Sequence, residues 1–199
     1  MKRLSLVDGS KTSAVVALAF VLAVAAFLLC GCASTASNGN DQIVKAAIEL
    51  AEEYRSLGRL EDSIGVYDKA LERTYDYRLL YNKALTIANL GDFEQAAALC
   101  QEGHGSFPYI LAFKKAQAKY YIELERWQDA ASSYIEVLEL DPYDTSTRKA
   151  LISLYVTNNE PSKAAEQATI LWNQGYRTAE TVGLMKVSLD PSLESSQED

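Results

Sequence analysis

The chain has 199 residues, 48% of them apolar, and a formal charge of -8, which leaves room for one ordinary domain with a short appendage at each end. Lys2, Arg3, Lys11 and Asp8 all precede the first long apolar run, so the remainder is more acidic still; such a balance argues against nonspecific nucleic-acid binding, which rewards clustered Lys and Arg. Of the three cysteines, Cys30, Cys32 and Cys100, only the last lies in the globular part, which excludes an intramolecular disulfide framework there and makes Cys100 a buried, inert thiol at a core position.

Residues 1–13 carry the basic side chains, and an uninterrupted apolar run follows from Ala14 to Cys30. A positive segment before an apolar one is the layout of a secretory signal, and the run is slightly short for a comfortable membrane span. It is either cleaved or kept as an anchor. The segment Leu29-Cys30-Gly31-Cys32 resembles the lipobox of bacterial lipoproteins, and that resemblance implies cleavage of a signal peptide over residues 1–31 and acylation, palmitate included, of Cys32. Cys30 competes poorly, because Leu29 before it is too large for the small slot that Gly31 fills. Several acyl chains on one cysteine hold durably, each buried methylene contributing about 0.8 kcal/mol. Residues 32–42, small and polar, read as a flexible tether. Ala33 after the cysteine points, by that family's sorting habit, to the periplasmic side of the outer membrane; the inner membrane and the cell surface are the other addresses.

The tether leads into a tandem pattern. From about 44 to 76, Ala47, Leu50, Ala51 and Tyr54 form one helical stripe. Gly58 ends that helix, and Leu60, Ser63, Tyr67 and Ala70 face inward from a second one. From 77 to 110 come Leu80, Ala84, Ile87, Gly91, Phe93 and Ala96, with the second helix expected to stop early at Gly103-His104-Gly105-Ser106. His104, the only histidine, then reads as a solvent-exposed loop residue. From 111 to 144, Ala118, Tyr121, Trp127, Ala130, Tyr134, Val137 and Pro142 recur in register, with Glu125 where glycine stood, so this turn is expected to be made differently. From 145 to 178 the stripe is Leu151, Ile152, Tyr155, Ala164 and Leu171, with Pro161 in the first turn of the second helix and Trp172 as a packing residue. A single helix over 178–189, capped by Thr178, should cover the last repeat with Val182, Met185 and Leu189. The acidic tail 190–199 should be disordered.

Equivalent positions lie 34 residues apart, Ala84 with Ala118, Phe93 with Trp127 and Pro108 with Pro142, and such a period means a repeat array. On these residues the chain resembles the tetratricopeptide repeat family over about Val44 to Leu189. The resemblance implies an all-α, right-handed α-solenoid of four helix-turn-helix repeats plus a C-terminal capping helix, and a protein-binding role.

No glycine-rich phosphate loop, no Ser/His or Cys/His arrangement and no metal-ligand cluster stands out in the sequence, so the expectation is a non-catalytic protein with no cofactor and no metal. The family's geometry places the first helix of each repeat on a concave wall, which here would hold Lys45, Ile48, Glu52 and Arg55, then Arg78, Tyr81, Leu85 and Asn89, then Lys115, Lys119, Ile122 and Glu123, then Lys149. The basic side chains there outnumber the acidic ones, opposite in sign to the whole chain. Arg55, Arg78, Lys115, Lys119 and Lys149 would steer an acidic peptide or partner helix, with Tyr81, Leu85, Asn89 and Ile122 holding it; the same lysines read equally as ordinary solvated residues. Ile48 and Glu52 stand where chaperone-tail-binding members have their basic-asparagine clamp, so that mode is set aside. The expected function is a lipid-anchored scaffold or assembly factor for protein partners in the bacterial cell envelope, and the alternative is an accessory that presents small acidic solutes or a solute-binding partner to a transporter. Oligomeric state is not readable.

Overall fold

The computed structural model describes residues 39–189, all of whose regular structure is helical. The chain divides into two compact units, 1–46 and 47–199. In the first, residues 39–46 are helical, with Lys45 paired to Asp41 at 2.9 Å. Residues 39–42, expected to end the tether, are thus helical. The signal segment, Cys32 and the tail 190–199 lie outside the described residues.

In the second unit α1 covers 47–56, followed by α2 (Leu60–Leu71), α3 (Tyr77–Asn89), α4 (Phe93–Ser106), α5 (Ala112–Glu123), α6 (Trp127–Leu140), α7 (Thr145–Thr157), α8 (Pro161–Asn173) and α9 (Ala179–Leu189). From α2 onward each helix packs on its chain neighbours; α3 also touches α5, and α7 touches α9. The unit is therefore an all-α solenoid whose first helices form one layer. Small residues at the crossings let the axes approach: Ala84, Ala96, Ala118, Ala130 and Ala164 are fully buried. Around them two cores form, one with Leu80, Ile87, Cys100 and Phe113 and one with Tyr134, Leu151, Ile152 and Leu171. Leu50 departs from its expected stripe and is 45% exposed, because Ala47 and Ala51 already occupy the inward face.

The turns inside the four repeats share one left-handed residue each: Gly58 at φ 73°, Gly91 at 87°, Glu125 at 56° and Asn159 at 57°. Glu125 N–H bonds to Ile122 O at 2.9 Å and Arg126 N–H to Tyr121 O at 2.8 Å, and the pairs at Gly58–Arg59 and Asn159–Glu160 repeat this pattern. The third turn is not built differently, contrary to the expectation from its missing glycine; the hairpin geometry forces Glu125 into the glycine conformation. A cation lies over a ring beside three of these turns: Arg59 over Tyr54 at 4.7 Å, Arg126 over Tyr121 at 4.5 Å and Lys163 over Tyr155 at 5.4 Å.

Helix α4 does not stop early. It runs through Gly103, His104 and Gly105 to Ser106, because tertiary packing outweighs the propensity cost of about 1 kcal/mol per glycine. A Cβ on Gly103 would lie 2.5 Å from Phe113 Cζ, so this glycine is where the buried Phe113 ring rests on the α4 backbone. The Tyr75 hydroxyl reaches Glu102 at 3.0 Å and Ser106 at 3.1 Å, and its ring stacks on Phe107 at 5.7 Å, securing the last turn from outside. His104 is consequently a half-buried helical residue rather than a loop residue. Its burial, and then the Lys114 ammonium, hold its pKa below the ordinary value, while Glu136 acts the other way; Lys114 and Glu136 pair at 2.6 Å.

At the C-terminal end, Pro161 occupies the first turn of α8, and the Thr178 hydroxyl accepts from Thr181 N–H at 3.2 Å. Thr181 is fully buried while Val182 is 36% exposed, so the covering face is Thr181 with Met185, which packs on the second core. Val182, expected on that face, points outward. Arg177 lies over the Trp172 ring at 5.4 Å. The turns between repeats carry Tyr75, Tyr109 and Tyr143, each 34 residues from the next and 52%, 90% and 73% exposed.

Candidate interaction surface

Two of the first helices begin on an aspartate that caps them. Asp76 accepts from Arg78 N–H at 2.9 Å and Asp144 from Thr147 N–H at 3.1 Å, each satisfying an amide that the helix leaves open. These caps take a second role, for which the sequence pattern carries no signal. Asp76 also receives the guanidinium of Arg78, at 3.0 Å from Nε and 2.9 Å from Nη2. Asp144 receives Lys115 from the preceding repeat.

Asp144 has an 8% exposed side chain and is held well below the usual carboxylate range. Burial alone would raise its pKa, but Lys115, the hydroxyls of Ser146 and Thr147, and the Thr147 N–H all favour the anion. Ser146 Oγ donates at 2.6 Å and Thr147 Oγ1 at 2.8 Å. The third and fourth repeats are thus joined by one carboxylate that caps α7 and neutralises a lysine of α5.

The expected basic wall is therefore largely ion-paired. Arg55 pairs with Glu52 one turn away, Arg78 with Asp76 and Lys115 with Asp144. Lys119 is exposed and has no ion-pair partner among the described residues. Lys149 is half-buried and engaged by its surroundings. Asn89, at the end of α3, is exposed.

The apolar part of the wall is better formed. Tyr81 meets the buried Phe113 edge-on, with ring centroids 5.8 Å apart. Burial raises its phenol pKa, with a nearby Cys100 adding to the rise and the Lys115 ammonium opposing it. Tyr81 and Leu85 pack on the first core and Ile122 on the second, each leaving part of its side chain open. Side chains of this kind offer rigid contact area that is already desolvated on one side.

Cys100 is fully buried, and burial pushes its thiol up to about 12, as far from a reactive thiolate as the inert reading requires. Among the described residues no group of three or more His, Cys, Asp and Glu could hold a metal ion, and none of the described helices is long and apolar enough to cross a membrane.

Residues 48–109 match the family described as the tetratricopeptide repeat. Among solved structures, the chain is similar to a tetratricopeptide repeat protein from Parabacteroides merdae, with TM-score 0.64 and 16% identity over 77% of this chain and 63% of that one. It is similar to PilF of Pseudomonas aeruginosa, with TM-score 0.60 and 18% identity over 78% and 72%. It is also similar to YrrB, described as a TPR protein with an unusual peptide-binding site, with TM-score 0.56 and 18% identity over 76% and 78%. The matched part spans less than two thirds of the Parabacteroides protein's length.

Proposed function

We propose that this tetratricopeptide-repeat chain is a non-catalytic scaffold or assembly factor that binds a protein partner along its first-helix layer, and that a lipid on Cys32 holds it in the bacterial cell envelope. The observation that carries the binding reading is the row of half-open apolar side chains Tyr81, Leu85 and Ile122, each seated on a buried core. The peptide-binding description of YrrB supports a peptide segment or a partner helix as the occupant.

The ion pairs refine how such a partner is held. A carboxylate approaching Lys115 must displace Asp144, whereas Lys119 is open to it, so apolar anchoring dominates and Lys119 steers encounter. The envelope address rests on the Leu29-to-Cys32 lipobox resemblance and the apolar run before it. Presentation of small acidic solutes to a transporter is not favoured, because the wall's cations are mostly engaged.

A photo-reactive residue at Tyr81 in cells should capture one discrete partner, and the same residue at Glu94, on α4, should not. Adding Lys119→Glu should slow capture while thermal melting is unchanged. Equal capture from Glu94, or none from Tyr81, overturns the reading. For the anchor, Cys32→Ala should release the chain from the membrane fraction; retention of that variant would leave an uncleaved apolar run as the anchor.

A further inference from the structure

A cavity of about 190 Å³ lies between the third and fourth repeats, lined by α6, α7 and the start of α8. Its apolar walls are Trp127, Ala131, Ile135, Leu154 and Tyr155. Trp127 and Ala131 pack on the second core, and Ile135 at the mouth is 39% exposed. The site is made by helices α6 to α8 and uses none of the wall residues Tyr81, Leu85, Lys119 or Ile122.

The neighbouring junction explains why the space exists. In the 34-residue register Trp127 stands where Phe93 stands, Leu154 where Tyr120 stands, and Asn158 where Leu124 stands. Between the second and third repeats the Tyr120 ring lies against Phe93, centroids 6.3 Å apart and planes tilted by 32°, and Tyr120 is only 6% exposed. Between the third and fourth repeats the matching side chains are smaller, and the large ring of Trp127 is left without the phenol that the sibling position supplies.

The rim is polar and ordered. Asn158 Nδ2 donates to Glu160 Oε1 at 2.8 Å, Glu160 pairs with Lys163, and Lys163 lies over the Tyr155 ring, which fixes that wall. With its amide nitrogen committed, Asn158 has its carbonyl oxygen left to accept a hydrogen bond. A volume of about 190 Å³ is below the roughly 300–1,000 Å³ of small-molecule pockets and suits one bulky side chain, the way an interface anchor is seated.

We propose that this cavity is a socket for a single tyrosine side chain of a partner protein, its ring against Trp127 and its hydroxyl donating to Asn158. It is a second contact point, separate from the first-helix wall, and stands whether or not that wall binds.

The chain has two tryptophans, Trp127 and Trp172, so the full-length protein labelled with 5-fluorotryptophan gives two fluorine resonances, assigned with Trp172→Phe. Titration with the capped peptide acetyl-Gly-Tyr-Gly-amide should shift the Trp127 resonance saturably and leave that of Trp172 in place. Acetyl-Gly-Leu-Gly-amide should bind at least tenfold more weakly. Leu154→Tyr restores the ring that the sibling junction holds and should abolish the response while the melting temperature is kept or raised; Asn158→Leu, which likewise copies the sibling junction, serves as the second filled variant. An unmoved Trp127 resonance, an undiminished shift in both filled variants, or tighter binding of free p-cresol than of the tyrosine peptide would each overturn the proposal. A Trp127 shift that depends on protein concentration alone would place a second copy's tyrosine in the socket, and would overturn a separate partner.

Discussion

Among the described residues Glu125 and Asn159 are the non-glycine residues held in the left-handed region, and Glu125 lacks the short polar side chain that eases this conformation for asparagine. A non-glycine residue in the left-handed region costs roughly 1–2 kcal/mol, and Glu125 sits there at φ 56° with only a helix-to-helix turn to hold it. Glu125→Gly should therefore raise stability by about 0.5–1 kcal/mol, the strain relieved less the larger chain entropy of glycine, read as a higher urea midpoint at unchanged slope. Gly103 is the opposite case. Helix propensity alone predicts that Gly103→Ala gains about 1 kcal/mol, but the new Cβ meets the Phe113 ring, 2.5 Å from Cζ, and overpacking costs about 1–3 kcal/mol. The substitution should lower the urea midpoint, and Phe113→Leu in the same chain should recover part of the loss, a non-additivity that a double-mutant cycle measures. Neither residue is legible from local sequence. Propensity places a helix end at Gly103, since the contact that overrides it comes from Phe113 on the next helix, and Glu125 in a glycine position becomes visible as strain only once the other three turns show what backbone the hairpin demands.

At the scale of the helix, α7 shows how one side chain can serve local and long-range structure together. Asp144 caps it and also takes Lys115 from α5, so Asp144→Ala should lose the cap, worth about 1–2 kcal/mol, and leave a half-buried lysine without its partner. Because the folded-state pKa of Asp144 is depressed, its contribution is fully present above the unfolded value of about 3.9 and is lost as pH falls through the folded value. Wild-type stability should drop between pH 5 and pH 2.5 by more than that of Asp144→Asn, which keeps the cap but cannot titrate; equal pH slopes from urea denaturation would dissociate Asp144 from the acid loss. The helices themselves are legible: alternation of small and aromatic residues at 34-residue offsets sets where α3 to α8 lie. The expected basic wall is less so. The Arg55–Glu52 pair, three residues apart on one helix, is legible from spacing, but the carboxylates that take Arg78 and Lys115 sit at helix starts, where side-chain direction rather than spacing decides the contact.

The unit as a whole is a stack in which each repeat is covered by its neighbours, so its ends are its weak points. Helix α9 covers the last repeat through Thr181 and Met185; a chain ending at residue 178 should lose protection of amide hydrogens in α7 and α8 while α3 to α5 keep theirs, and uniform loss of protection across all helices would show a single cooperative body instead. The exposed tyrosines on the turns between repeats give this stack a built-in reporter. Tyr109 and Tyr143 stand 90% and 73% open, whereas Tyr67 and Tyr134, inside the first and third repeats, are 0% and 3% exposed. Under a ring-nitrating reagent the outer pair marks the start of the clock, and each inner ring is modified only at the moment its own repeat comes apart, so the order of nitration spells out the order of opening along the chain.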